Sequence, residues 1–164
     1  MTRVIVGIDP GRTGALAAID DRGRLLAVAD MPPKRPDGWW ENAWVAVGRA
    51  VADFPPIADR PVVFVEQPFA KPRQSITSTA AQFAAYGAIL GALGALGLET
   101  HTVTPSAWKR AVGVTADKRS SLNLARQLWP ADADRWFKLA KHDGRAEAAL
   151  LALHGMDVLG VRSA

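Results

Sequence analysis

The spacing of apolar residues along the chain changes character several times, and each change marks an element. Val4-Ile5-Val6-Gly7-Ile8 is an almost unbroken apolar run that stops on Asp9, and Pro10-Gly11 then turns the chain away from the extended state. Residues 3–9, 14–20 and 24–29 are three short β-type runs separated by the glycine-containing turns 10–13 and 21–23. They predict an antiparallel meander. After a connection carrying Pro32, Pro33 and Pro36, Trp40, Trp44, Val47 and Val51 recur at helical spacing and predict a helix over 39–54. Val62–Val65 is a continuous apolar run, the pattern of a strand covered on both faces.

The second half alternates differently. Residues 75–98 predict a long helix, and Thr100–Val103 a further strand that stops before Pro105. Two shorter helices follow, 105–111 with proline in its first turn and Lys118–Leu128 ended by Pro130, and a last helix covers 144–154. A hairpin meander followed by strands alternating with helices predicts an α/β fold: one mixed five-stranded sheet, three antiparallel strands and then parallel ones, flanked by helices. Neither an internal repeat nor a linker interrupts it, so residues 1–164 are read as one domain, a size and an apolar content of 49% that suffice for a core.

Residues 83–98 carry no charge, yet this stretch is shorter than the roughly 20 residues that cross a bilayer and is rich in Ala and Gly. It is expected to be a buried helix. Gly87, Gly91, Gly94 and Gly97 lower helix propensity by up to about 1 kcal/mol each, which suggests close approach to the sheet or to a second copy across a two-fold axis. The absence of cysteine excludes disulfides, thiolate metal sites and cysteine nucleophiles, and the absence of a basic-then-apolar leader suggests a cytoplasmic protein with no membrane partner.

Charge adds a partner. The chain is +4 overall, but residues 71–141 hold ten Lys/Arg against four acids, +6, while the flanking stretches are −1 each. Lys71, Arg73, Lys109, Arg110, Lys118 and Arg119 belong to this basic region, which is suited to a polyanion. Solvated helix faces would give the same excess.

The acids supply candidate chemistry. Asp9 ends the first strand, Glu66 ends the Val62–Val65 run, and Asp143 and Glu147 lie four residues apart on one face of the last helix. With the first and fourth strands adjacent, all four meet at one sheet edge. Two carboxylates about 4 Å apart repel by roughly 4 kcal/mol at an effective dielectric near 20, so such a cluster needs cations. Oxygen-only donors favour Mg²⁺ or Mn²⁺, and a pair of such ions serves in-line phosphodiester displacement. Acids beside a basic groove therefore predict a metal-dependent nuclease.

Taken in order, Gly7-Ile8-Asp9-Pro10-Gly11 with Thr13-Gly14, Val65-Glu66-Gln67-Pro68-Phe69 and Asp143-Gly144-Arg145-Ala146-Glu147-Ala148 resemble the RuvC-type Holliday-junction resolvases of the ribonuclease H-like superfamily. The resemblance spans nearly the whole chain. It implies a Mg²⁺-dependent homodimer that binds four-way DNA junctions and cuts two opposing strands symmetrically. Asp9 and Glu66 match the family's first two metal-binding acids, Phe69 matches a loop aromatic used against junction bases, and Lys109 and Lys118 match lysines near the scissile phosphate. The last helix departs from the usual Asp-x-x-Asp-Ala pattern: Gly144 and Glu147 stand at the two acidic positions, and Asp143 lies one residue before Gly144, a form that resembles phage and prophage relatives.

Plainer roles compete at three positions. Asp143 is well placed to cap the last helix; Phe69 is either a core aromatic or an exposed one; His142 is either a water-orienting group or a surface histidine. Two other function classes share the features: a branched-DNA-binding protein without catalysis, and a single-lobed relative of the actin-like and sugar-kinase ATPases, which also open on an Asp-x-Gly loop.

Overall fold

The computed structural model describes residues 3–31, 47, 60–70 and 72–161. Five apolar runs become strands: β1 (Val4–Ile8), β2 (Ala15–Asp20), β3 (Leu25–Asp30), β4 (Val62–Glu66) and β5 (Thr100–Val103). They form one sheet in the order β3-β2-β1-β4-β5, antiparallel from β3 to β1 and parallel from β1 to β5. This is the mixed sheet expected from the sequence. The helices are α1 (Ile76–Ala95), α2 (Pro105–Val112), α3 (Lys118–Leu128), the single turn α4 (Ala133–Trp136) and α5 (Asp143–Val158), with 3-10 turns at Pro130–Asp132 and Ala140–His142.

Alternation along the strands sorts side chains onto two faces. Val4, Val6, Ile8, Leu16, Ala18, Val63 and Val65 form one core layer with Ile89, Ala92 and Leu93 of α1. Ile5, Ala17, Ile19, Val62 and Phe64 form the other, against α5 and the inward sides of α2 and α3. The central strand is buried on both sides, which is why its sequence shows a run and no alternation.

Close contact between β1 and α5 depends on Gly7. A Cβ there would lie 2.0 Å from the carbonyl oxygen of Ala148 and 2.6 Å from the amide nitrogen of Ala152, both backbone atoms that cannot swing aside. Gly7→Ala is therefore expected to cost about 3 kcal/mol and to lower Tm by about 6–10 °C in a thermal melt. An unchanged Tm would mean that α5 sits farther from the sheet.

Three expectations are revised. The last helix runs to Val158, four residues beyond 154, because Met156 is buried and Gly155 lies against the Phe64 ring, where a Cβ would come within 2.4 Å. The long helix α1 is not buried all round: Ala85, Ile89, Ala92 and Leu93 form its buried stripe, while Ile76 is 88% and Phe83 41% exposed. At 20 residues it has the length and composition to cross a membrane, but its inner stripe is packed on the sheet as a layer of the fold. Among the described residues, a Cβ added at Gly87, Gly91 or Gly94 would meet nothing within 4 Å, so these glycines make no close approach inside the chain. The helix predicted over 39–54 lies outside the described residues except for Val47, which is helical and buried on the α1 side.

Candidate metal and nucleic-acid site

Asp9 immediately follows β1 and Glu66 closes β4. These strands are parallel neighbours with Ile8 opposite Val65, so both acids leave the sheet at the same edge. Alternation fixes their direction. Asp9 has the parity of Ile5 and Gly7, and Glu66 that of Val62 and Phe64, which places both on the α5 face.

The start of α5 reaches that edge because small residues let it descend. A Cβ at Gly144 would lie 2.0 Å from the carbonyl oxygen of Thr13 and 3.0 Å from Cα of Gly14, so this helix rests on the 10–14 turn. The turn is itself tied to the acid, since the Gly11 amide donates to Asp9 Oδ1 at 2.9 Å. Asp143 and Glu147, on one helix face, are both buried. His142 occupies the cap position and makes no side-chain capping bond, while Asp143 is the first helical residue and accepts a hydrogen bond from the Lys118 ammonium. The cap role weighed for Asp143 is thus not the one its carboxylate plays.

Burial, reinforced by the negative charges of Glu66 and Glu147, pushes the Asp9 carboxyl up to about 7, against the pull of the Gly11 amide and of Lys118. Burial alone favours the neutral acid, and the charges of Glu66 and Glu147 add to it. Asp20 is the instructive contrast. Burial would raise it too, but hydrogen bonds from the Arg24 amide, the Arg24 guanidinium and the Arg22 amide hold it below the usual range. One buried acid is fully satisfied and closes a hairpin; the other is left in tension.

Two helices beside the sheet bring partners to the acids. Lys109 Nζ on α2 donates to Glu147 Oε1 at 2.5 Å, and Ser121 Oγ on α3 lies 3.5 Å from the same oxygen. Lys118, at the first turn of α3, pairs with Asp143, and that hydrogen bond raises the lysine pKa, with smaller contributions from Glu147 and Asp9. Trp108, fully buried on α2, donates its indole N–H to Glu66 Oε2 at 2.7 Å. Sequence reasoning did not assign Trp108 to the site. The available signal was its place next to Lys109 on an amphipathic helix.

Among the described residues no three His, Asp or Glu side chains are close enough together to hold an ion between them; ammonium groups stand among the carboxylates. The donor set nevertheless fits a hard divalent cation. It is oxygen-only, it comes from three elements, and its Asp9 member is a carboxyl whose charge is disfavoured by burial and by neighbouring acids, which a cation would offset.

The remaining candidates differ in exposure. Phe69, three residues beyond Glu66, is 61% exposed, which decides against the core role. Arg73 is exposed and takes a left-handed backbone, φ 66°. Arg110 and Arg119 are exposed on α2 and α3, each next to a lysine that touches an acid. Lys71 lies outside the described residues. His142, half-buried, has its pKa lowered first by desolvation and then by Arg145.

This architecture, a mixed five-stranded sheet flanked by helices, is that of the RuvC-type ribonuclease H-like fold. Two solved structures match it over nearly the full length of both chains. Thermus thermophilus RuvC in complex with a Holliday junction substrate superposes with a TM-score of 0.68 at 22% identity, over 98% of this chain and 97% of that one. A second structure of Thermus thermophilus RuvC gives a TM-score of 0.66 at 21% identity, over 96% and 97%. No protein-family model matches the chain, and no curated protein matches it in sequence. The likeness is one of fold.

Proposed function

We propose that this protein is a divalent-metal-dependent endonuclease that resolves four-way DNA junctions as a homodimer. The observation that carries the reading is that Asp9 and Glu66 end adjacent parallel strands of a RuvC-type sheet while the helix start bearing Asp143 and Glu147 rests on the turn after Asp9. In this reading Asp9, Glu66, Asp143 and Glu147 hold two Mg²⁺ ions, or Mn²⁺ in their place. Such ions, when held there, would supply charge stabilisation to the attacking and leaving oxygens of phosphodiester hydrolysis. Lys109 and Lys118, freed from Glu147 and Asp143, turn to the phosphates. Arg73, Arg110, Arg119 and Lys71 hold the DNA backbone, and exposed Phe69 stacks on bases at the branch.

The test is a synthetic four-way junction incubated with the protein and Mg²⁺. Paired nicks placed symmetrically in opposing strands are the expected product. Tight junction binding with no cleavage in Mg²⁺ or Mn²⁺ would support the other reading, a non-catalytic junction binder, which the lysine pairing of both α5 acids favours.

Dimerisation is supported by the outer side of α1. Ile76, Ala80, Phe83, Gly87, Gly91 and Gly94 recur every three to four residues opposite the buried stripe, and all are exposed. An apolar, glycine-lined stripe of this length suits close packing on its own copy. Phe83→Glu, at a position the fold itself does not bury, is expected to convert a dimer to a monomer in size-exclusion light scattering while leaving the melting curve cooperative. A wild-type protein that is monomeric at micromolar concentration would rule the arrangement out.

A further inference from the structure

Trp108 and Lys109 are consecutive residues of one short helix, yet they engage acids from two different elements. The indole of Trp108 reaches Glu66 at the end of β4, and the ammonium of Lys109 reaches Glu147 in α5. The two contacts differ in kind. A lysine can leave its carboxylate by rotating about its long side chain, whereas Trp108 is among the largest fully buried side chains of the protein and belongs to the core that joins α2, α3 and α5 to the sheet. Its N–H therefore has a fixed position. A hydrogen bond of 2.7 Å from a fixed donor to Glu66 Oε2 determines where that carboxylate points.

We infer that Trp108 is a positioning residue for Glu66: its indole N–H bonds one carboxylate oxygen and so orients the carboxylate as a cation ligand. The inference rests on the metal-dependent reading of the site proposed above, and it adds a role for a residue that would otherwise count as core. Three features of the fold make it specific. Glu66 is the last residue of its strand, so its backbone is held by the sheet while its side chain projects at the end of the ladder. Pro105 starts α2 directly after β5, which is hydrogen-bonded to β4, so the helix bearing the donor is tethered to the strand bearing the acceptor. Glu66 is also partly exposed, so packing restricts its rotamer less than that of a core residue, and a fixed donor narrows it.

Ligand carboxylates held by outer hydrogen bonds lose roughly 10–100-fold in metal affinity when the holding group is removed. Trp108→Phe keeps an aromatic ring in the core and removes the N–H. In a Mn²⁺ titration followed by the protein's thermal shift, the midpoint for Trp108→Phe is expected to move up by about 10-fold relative to wild type. Affinity for a four-way junction in EDTA should be unchanged. The same Mn²⁺ midpoint in a folded Trp108→Phe protein, with the wild-type response intact, would overturn the positioning role and leave the metal-site reading standing. No Mn²⁺ response in wild type would remove both.

A second measurement needs no core substitution. In a ¹⁵N–¹H spectrum of wild-type protein, the Trp108 indole N–H is expected downfield of the other tryptophan side chains and shifted upfield in Glu66→Gln. An indole resonance indifferent to Glu66→Gln would show that the bond does not form in solution.

Discussion

Asp9→Asn and Glu66→Gln are each expected to reduce Mg²⁺-dependent junction cleavage by at least about 10³-fold, the scale of losing several kcal/mol of transition-state charge stabilisation. Junction binding should persist in both variants. The two substitutions remove charge with little change of shape, and both acids lie at the ends of strands whose ladders they do not support through their side chains. In Asp9→Asn the Gly11 amide can still donate, since the side-chain amide oxygen of the variant accepts as the carboxylate did. Equal cutting by wild type and variants would point to a contaminating nuclease and remove these acids from the chemistry.

A stability effect of opposite sign is expected from the same residue. The Asp9 carboxyl ionises near 7 in the folded protein against 3.8 for an ordinary aspartate, so the native state holds a proton that the unfolded state releases. Stability contributed at this position is therefore greatest at low pH and falls as pH rises from about 4 to about 7. At 1.36 kcal/mol per pH unit, full loss amounts to about 4 kcal/mol, and solvent access to the edge reduces this to about 2–4 kcal/mol. Metal-free Asp9→Asn should then be more stable than wild type at pH 8, by about 5 °C or more in Tm, and indistinguishable from it at this position near pH 4. Asp20 works in the other direction. Its lowered pKa supports the fold at neutral pH and is lost on acidification, so it moves both proteins alike and cancels from the comparison. Saturating Mg²⁺ should raise the Tm of wild type at pH 8 and leave Asp9→Asn unmoved. Wild type and variant melting together at pH 8 without metal would contradict the electrostatic tension assigned to Asp9.

The strand pattern was readable in the chain because hydrophobic runs and turn residues coincide. Val4–Ile8 and Val62–Glu66 appear within a residue of their expected ends, and their parallel pairing brings Asp9 and Glu66 to one edge as anticipated. Helix ends were less legible. Residues 155–158 continue α5 because Gly155 and Met156 pack against Phe64 and the hairpin turn at Gly23, a tertiary contact that no local propensity encodes. The exposed side of α1 was missed for a related reason: Ala and Gly are equally compatible with burial and with an open face, so composition alone read as core.

At the site, the acids were visible as charges in apolar surroundings, whereas their partners were not. Trp108 reads as one apolar residue among many until α2 is set beside β4, 42 residues away in sequence. Lys109 and Lys118 were legible as basic residues, but their attachment to Glu147 and Asp143 depends on how α2 and α3 pack against α5. Distance in sequence, and not weakness of the interactions, hid these contacts.

The most direct measurement is anomalous diffraction from a crystal of the protein soaked in Mn²⁺. Peaks within ligand distance, about 2.0–2.5 Å, of oxygens from Asp9, Glu66 and the α5 acids, with Lys109 and Lys118 displaced from Glu147 and Asp143, are the expected result. Manganese bound elsewhere, or an edge still closed by its lysines at saturating metal, would contradict the shared cation site.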